Sequence, residues 1–181
     1  MKKALLIIDV QNDYFPGGKF ELVEADQALG ATKKLINKFR ENNDPIFYVQ
    51  HLSDSDGEFF IPNTKGCEIH EEITPLERDE VIIKYYPNSF LGTHLQETLQ
   101  KNEIQELVVC GIMTHMCVDT TVRAAQDYGY QLTLIADGCA TRDLERNGTI
   151  ISAAIVQETY FASLDGIFAA VMTSKEYLQE Q

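Results

Sequence analysis

Val108-Val109-Cys110-Gly111-Ile112-Met113-Thr114-His115-Met116-Cys117-Val118-Asp119 is the stretch whose reading decides the fold. Leu107 to Cys110 is a short apolar run of the kind that a parallel sheet buries on both faces. Gly111 breaks the run, and Thr114 reads as the N-cap of a helical pattern that continues to Tyr128. Cys117 then falls in the first turn of that helix. There the helix dipole and free backbone N–H groups favour a thiolate over a thiol. A free cysteine is also a common small core residue, so position and type leave both readings open.

The same grammar extends in both directions. Ala4 to Ile8 reads as a first strand ending on Asp9, and Ala25 to Asn42 as a helix with Ala28, Leu29, Thr32, Leu35, Ile36 and Phe39 on one face. Pro45 to Gln50 is a second strand, and Val81 to Ile83 a third, ending on Lys84. Leu91 to Lys101 is helical, Ile104 to Cys110 is the fourth strand, and Gln131 to Ala136 the fifth, closed by Asp137-Gly138. Leu144 to Ala162 contains a helix, Ile167 to Met172 is a sixth strand, and Ser174 to Gln179 is a terminal helical turn or two. Between them, His51 to Glu80 is irregular and punctuated by Gly and Pro, with Phe59, Phe60 and Ile61 as an apolar island. A long irregular segment carrying aromatic residues reads as a packed lid. Strands alternating with helices indicate an α/β fold with a parallel sheet. Residues 1–181 read as one domain, without internal repeat or linker.

The totals exclude several functions. Net charge is −13, from 28 acidic and 15 basic residues, so no basic face is expected for nucleic acid or an anionic membrane. No apolar run approaches the roughly 20 residues that cross a bilayer. The four cysteines, Cys67, Cys110, Cys117 and Cys139, lack C-x-x-C spacing. They suit a reducing cytoplasm better than a disulfide framework. The apolar run after Lys2-Lys3 stops at Asp9, too soon for the core of a signal peptide.

In open parallel sheets, ligands bind beyond the carboxyl ends of the strands. Three reactive side chains fall at such ends: Asp9, Lys84 and Cys117. A nucleophilic thiol needs a base, a cation and donors for an oxyanion. Asp9 could take the proton, Lys84 could keep Asp9 ionised, and backbone N–H groups around Met113 and Cys117 could bind the oxyanion. Singly, Asp9 also fits a turn residue and Lys84 a solvated lysine. Both nevertheless continue apolar strands into the crevice edge.

Asp9-Val10-Gln11-Asn12-Asp13-Tyr14-Phe15, the lysine of Ile82-Ile83-Lys84 followed by Ser89-Phe90-Leu91-Gly92-Thr93, and Gly111-Ile112-Met113-Thr114-His115-Met116-Cys117-Val118 together resemble the isochorismatase-like, nicotinamidase-related cysteine hydrolases. The resemblance runs from about Ala4 to Met172. It implies a Rossmann-like three-layer fold with a six-stranded parallel sheet in the order 3-2-1-4-5-6. It implies Asp9, Lys84 and Cys117 as catalytic triad, and a non-proline cis peptide at Ile112-Met113 that aims the Met113 N–H, with that of Cys117, at the oxyanion.

Departures from the family pattern matter as much. Nicotinamidases carry a metal-binding Asp-x-His after strand two, where this chain has His51 and Ser53. His51 and His70 read as ordinary polar residues, so no metal and no cofactor is expected. A cysteine at position 117 points to amide chemistry through a thioester on a small-molecule substrate. The rivals are N-carbamoyl or vinyl-ether hydrolysis on the same fold, and a thiol sensor without turnover. Phe15, Phe59, Phe60 and Tyr85 are the candidate pocket walls, and His115 is expected to be exposed on its helix. The acidic shell and the family habit suggest a homo-oligomer.

Overall fold

A computed structural model describes residues 1–179. Its centre is a six-stranded parallel sheet formed by β1 (Lys3–Ile8), β2 (Ile46–His51), β3 (Glu80–Lys84), β4 (Glu106–Ile112), β5 (Gln131–Ala140) and β8 (Ala170–Met172). The order is β3-β2-β1-β4-β5-β8. This is the expected order, with the sixth sheet strand numbered eighth because a hairpin, β6 (Leu144–Arg146) and β7 (Thr149–Ile151), precedes it. The chain first winds from β1 towards β3, then reverses to lay β4 on the other side of β1. The crevice at that reversal is where such sheets bind ligands.

β1 shows why the sheet is buried on both faces. Leu5 and Ile7 join one apolar cluster, with Leu35, Ile36 and Phe39 of helix α1 (Ala25–Asn42). Ala4, Leu6 and Ile8 join the other, with Leu95 and Leu99 of α2 (Leu95–Lys101) and Val122 and Ala125 of α3 (Asp119–Asp127). Each large aliphatic side chain so buried contributes roughly 1.5–3 kcal/mol. Helix α4 (Ala153–Leu164) covers the second face beside β8, and α5 (Ser174–Gln179) packs on the first.

Several boundaries differ from the sequence reading. β4 does not stop at Gly111 but runs through it to Ile112, with a bulge between Val109 and Gly111. Gly111 has φ +141°, and a Cβ there would lie 2.1 Å from the Ile8 carbonyl oxygen. Its lack of a side chain lets β4 close onto β1. Thr114 does not cap an α-helix. It opens a wide π-turn, Thr114–Val118, and its hydroxyl reaches the Ala140 carbonyl and Gln157. The regular helix α3 starts only at Asp119. β5 continues through Asp137-Gly138 to Ala140, and α2 begins at Leu95 rather than Leu91, after Gly92 in the left-handed region. The sixth sheet strand shrinks to Ala170–Met172, because Gly166 turns the chain and Ile167 is exposed. The hairpin occupies the start of the segment in which a helix was expected, and the helix follows it. The hairpin's Asn147-Gly148 turn has positive φ at both residues, the signature that makes a two-residue hairpin.

Candidate active site

The C-terminal edge of the sheet gathers four side chains. Ile8 is in register with Val49 of β2 and Gly111 of β4, so Asp9 emerges at the reversal point. Asp9 adopts φ +52° and donates its N–H to the Val49 carbonyl at 3.0 Å. His51 closes β2 directly opposite Lys84, which closes β3. Cys117 arrives from β4 through the cis peptide Ile112-Met113 and the π-turn. In that turn Val118 donates to the Met113 carbonyl at 3.2 Å and Met116 donates to the same oxygen at 3.1 Å, with Cys117 between them.

Asp9, Lys84 and Cys117 are all buried. Lys84 Nζ lies 2.8 Å from Asp9 Oδ2 and donates to the Pro87 carbonyl at 2.9 Å. The loop holding Pro87 is pinned by Ser89, whose N–H and hydroxyl both meet Thr121 Oγ1 of α3. This accounts physically for the polar residues that follow Lys84 in the second motif. Asp9 Oδ1 is buried without a hydrogen-bond donor among the described residues.

The electrostatics follow from this burial. For Lys84, burial alone would lower the ammonium pKa, but Asp9, and then Cys117, reverse the sign and hold it above its ordinary value. Cys117 goes the other way from the expectation drawn from its helix position. Burial pushes its thiol well up, Asp9 pushes it further, and Lys84 only partly offsets them. The resting group is a thiol, and the dipole of one helix turn does not outweigh the desolvation of a buried anion. A thiol within reach of a carboxylate that a buried lysine contacts is an arrangement that can pass a proton on demand.

The sequence reading gave no role to four neighbours. His51 Nδ1 stands 3.7 Å from Asp9 Oδ2 and 3.9 Å from Cys117 Sγ. Its place at a strand end, like Asp9 and Lys84, was the available signal. Gln11 clamps the main chain of His51 from both sides, accepting from its N–H and donating to its carbonyl, each at 2.8 Å. The same amide donates to the Cys67 carbonyl at 2.7 Å and so ties the lid to β1. Asp13 holds the lid as well, accepting from Phe60 N at 2.7 Å and Lys19 N at 3.1 Å. A Cβ at Gly66 would lie 2.2 Å from Asp13 Oδ1, so the lid backbone passes close over this carboxylate. Tyr14 is buried and its hydroxyl is raised well above its ordinary value, first by burial, then by Cys117 and Asp9.

The expected pocket walls separate. Phe59 and Phe60 pack on Tyr14, and Phe60 lies 5.9 Å from His51, ring to ring. The lid is thus a packed aromatic layer beside the cluster. Phe15 is buried against His70 at 4.4 Å. Tyr85 is exposed, with no ring contact to this layer among the described residues. His115 is not exposed as expected: it is half-buried, hydrogen-bonded to Thr141, and lowered in pKa by burial and by Arg142. The nicotinamidase metal pattern does not fit. His70 Nδ1 accepts from Glu72 N, and the one group of three or more ligating side chains among the described residues is Asp9, His51 and Cys117.

Comparison with known proteins bears on this geometry. Residues 3–176 match the model of the isochorismatase domain. The isochorismatase family protein YddQ of Bacillus subtilis (strain 168) is 45% identical, over 99% of this chain and 100% of its own length. A streptothricin hydrolase of Streptomyces noursei is 32% identical over 78% of this chain and 56% of its own. Among solved structures, an isochorismatase hydrolase from Oleispira antarctica superposes with a TM-score of 0.96 and 39% identity, covering 98% and 96% of the two chains. N-carbamoylsarcosine amidase from Thermoplasma acidophilum gives 0.81 and 28%, covering 96% and 97%.

Proposed function

The chain belongs to the isochorismatase family of hydrolases, and from that premise we propose that it is a metal-independent cysteine hydrolase cleaving the C–N bond of a small-molecule amide. The observation that carries the reading is the buried Asp9–Lys84 ion pair, with the Asp9 carboxylate within 4.8 Å of the Cys117 sulfur. Asp9 takes the Cys117 proton as sulfur attacks the amide carbonyl. The oxyanion is received by the Met113 and Cys117 N–H groups. Protonated Asp9 gives its proton to the leaving ammonia or amine, and the chain is left as a thioester on Cys117. Asp9 then activates water, which releases the acid and restores the thiol. Lys84 keeps the charge of the site balanced at each stage. The aromatic layer of Tyr14, Phe59 and Phe60 walls one side of the site.

One assay tests this: ammonia release from a panel of small amides, comparing the wild-type chain with Cys117→Ala. Turnover by wild type that vanishes in the variant supports a covalent route, and unchanged turnover sinks it. N-carbamoyl hydrolysis is the second reading, favoured by the likeness to N-carbamoylsarcosine amidase; product identification separates the two. A thiol sensor fits poorly, because sensor cysteines are accessible and low in pKa, whereas Cys117 is buried and raised.

Residues 1–181 act as one domain in this reading. No helix among the described residues is long and apolar enough to cross a membrane, and four free, buried cysteines suit a cytoplasmic setting. Ile150 on the hairpin and Ile155 on α4 are exposed, which supports a homo-oligomer that sedimentation would detect.

A further inference from the structure

His51 Nδ1 faces both the Asp9 carboxylate and the Cys117 sulfur. It is 3.7 Å from Asp9 Oδ2, beyond the roughly 2.7–3.2 Å of an N–H···O bond. The same nitrogen is 3.9 Å from Cys117 Sγ, long even for sulfur. Yet one ligand atom from each of Asp9, His51 and Cys117 lies within 4.8 Å of the other two. A tetrahedral zinc, with bonds of about 2.3 Å to sulfur and about 2.0–2.2 Å to nitrogen and oxygen, spaces neighbouring ligand atoms roughly 3.4–3.6 Å apart. The two measured edges exceed that spacing by only a few tenths of an ångström.

We propose that Asp9, His51 and Cys117 form a binding site for a thiophilic divalent cation such as Zn²⁺, which masks the thiol instead of assisting hydrolysis. The donor set is a thiol sulfur, an imidazole nitrogen and a carboxylate oxygen, the combination that zinc accepts. The carboxylate oxygen that faces His51 is Oδ2, and Asp9 is fully buried, so the donor set is shielded from water. Lys84 keeps its contact with Oδ2. Gln11 fixes the His51 main chain on both sides, so little reorganisation precedes binding. On binding, the Cys117 S–H bond breaks, a metal–sulfur bond forms, and the proton leaves to solvent; affinity therefore rises with pH. The fourth position is left to water. Ser53 and His70, at positions the resemblance associates with metal, take no part. The masking rests on Cys117 being the nucleophile; the binding does not.

Co²⁺ alone, titrated into the full-length protein under a non-thiol reductant, is the probe. The expected result is a near-ultraviolet thiolate-to-cobalt band that saturates at one equivalent and is bleached by Zn²⁺. The band is absent in Cys117→Ser, and the affinity falls at least about tenfold in His51→Ala and in the bulkier His51→Gln. Zn²⁺ also protects Cys117 from iodoacetamide, and a chelator reverses the protection. Folding of each variant is checked by its thermal melt. Absence of the band, its survival in Cys117→Ser, or wild-type affinity in both His51 variants overturns the proposal. A band in a protein that hydrolyses no amide upholds the metal site and removes the hydrolase reading. Cys117-dependent ammonia release without a band does the reverse.

Discussion

Two aspartates at the C-terminal edge of the sheet sit in opposite circumstances. Asp137 in β5 is engaged through both oxygens: Oδ1 accepts from Ser174 N at 2.6 Å and Oδ2 from the Ser174 hydroxyl at 2.7 Å. It thereby holds the start of α5. Asp9 in the next-but-one strand is fully buried, leans on Lys84 through one oxygen, and has an Oδ1 with no donor. A buried carboxylate left under-served costs free energy, and the rest of the core carries that cost. The difference separates an aspartate that ties two elements together from one that the proposed reaction uses as its base. Asp13, four residues after Asp9, belongs with Asp137: both its oxygens are engaged by backbone N–H groups.

The sharpest way to break this contrast is to neutralise each aspartate. Asp9→Asn should lower kcat/KM for any amide the protein hydrolyses by about 10³-fold or more, as loss of a general base does. Asp137→Asn should leave the rate within a few-fold, measured in the same assay. Next in size is Lys84→Met, which strands the Asp9 charge. Removing one partner of a buried ion pair costs about 3–5 kcal/mol, and urea unfolding should show it. The double variant Asp9→Asn with Lys84→Met should recover part of that loss, because no unpaired charge remains.

Gly111→Ala comes third. The added Cβ meets Ile8 of β1 at a positive φ, and overpacking of this kind costs about 1–3 kcal/mol, read in the thermal melt. Activity should fall further than stability accounts for, because Asp9 follows Ile8 directly. Last, because it appears only as pH rises, is an effect from the buried thiols. Burial pushes Cys110 up to about 12 and raises Cys117 and Cys139 as well. The unfolded chain ionises these thiols near their ordinary value of 9.0 while the folded chain keeps their protons. Their stabilisation is therefore fully present below that pH and is lost as pH rises above it, by at most about 1.4 kcal/mol per thiol per pH unit. Urea midpoints between pH 8 and about 10.5 check the sign. Midpoints that rise over this range would contradict it.

The part of the site that the sequence made legible is the part that depends on local pattern. A run of apolar residues ending on a charged one is visible without any tertiary information, and Asp9 and Lys84 were read that way. Their shared crevice was not legible in the alternation itself; it came with the strand order that the family resemblance implies. His51 obeys the same rule but was discounted, because a lone histidine carries no signal until its neighbours are known. The irregular segment from His51 to Glu80 was legible as a packed lid, but not its anchors. The bonds from Gln11 to Cys67 and from Asp13 to Phe60 span 56 and 47 residues, and no periodicity marks such pairs.

At the stretch from Val108 to Asp119, the division is clear. Its residue types determined a buried strand, a glycine, and a cysteine soon after, since those follow from apolar runs and from the absence of a side chain at one position. Only the tertiary structure decided that the strand continues through Gly111 against Ile8, and that a π-turn precedes the helix. It also decided that burial and Asp9 push the Cys117 thiol up, with Lys84 pulling against them. The physical reason is that desolvation and charge–charge energies sum over everything packed around a group, and those neighbours come from β1, β2 and β3, far away along the chain.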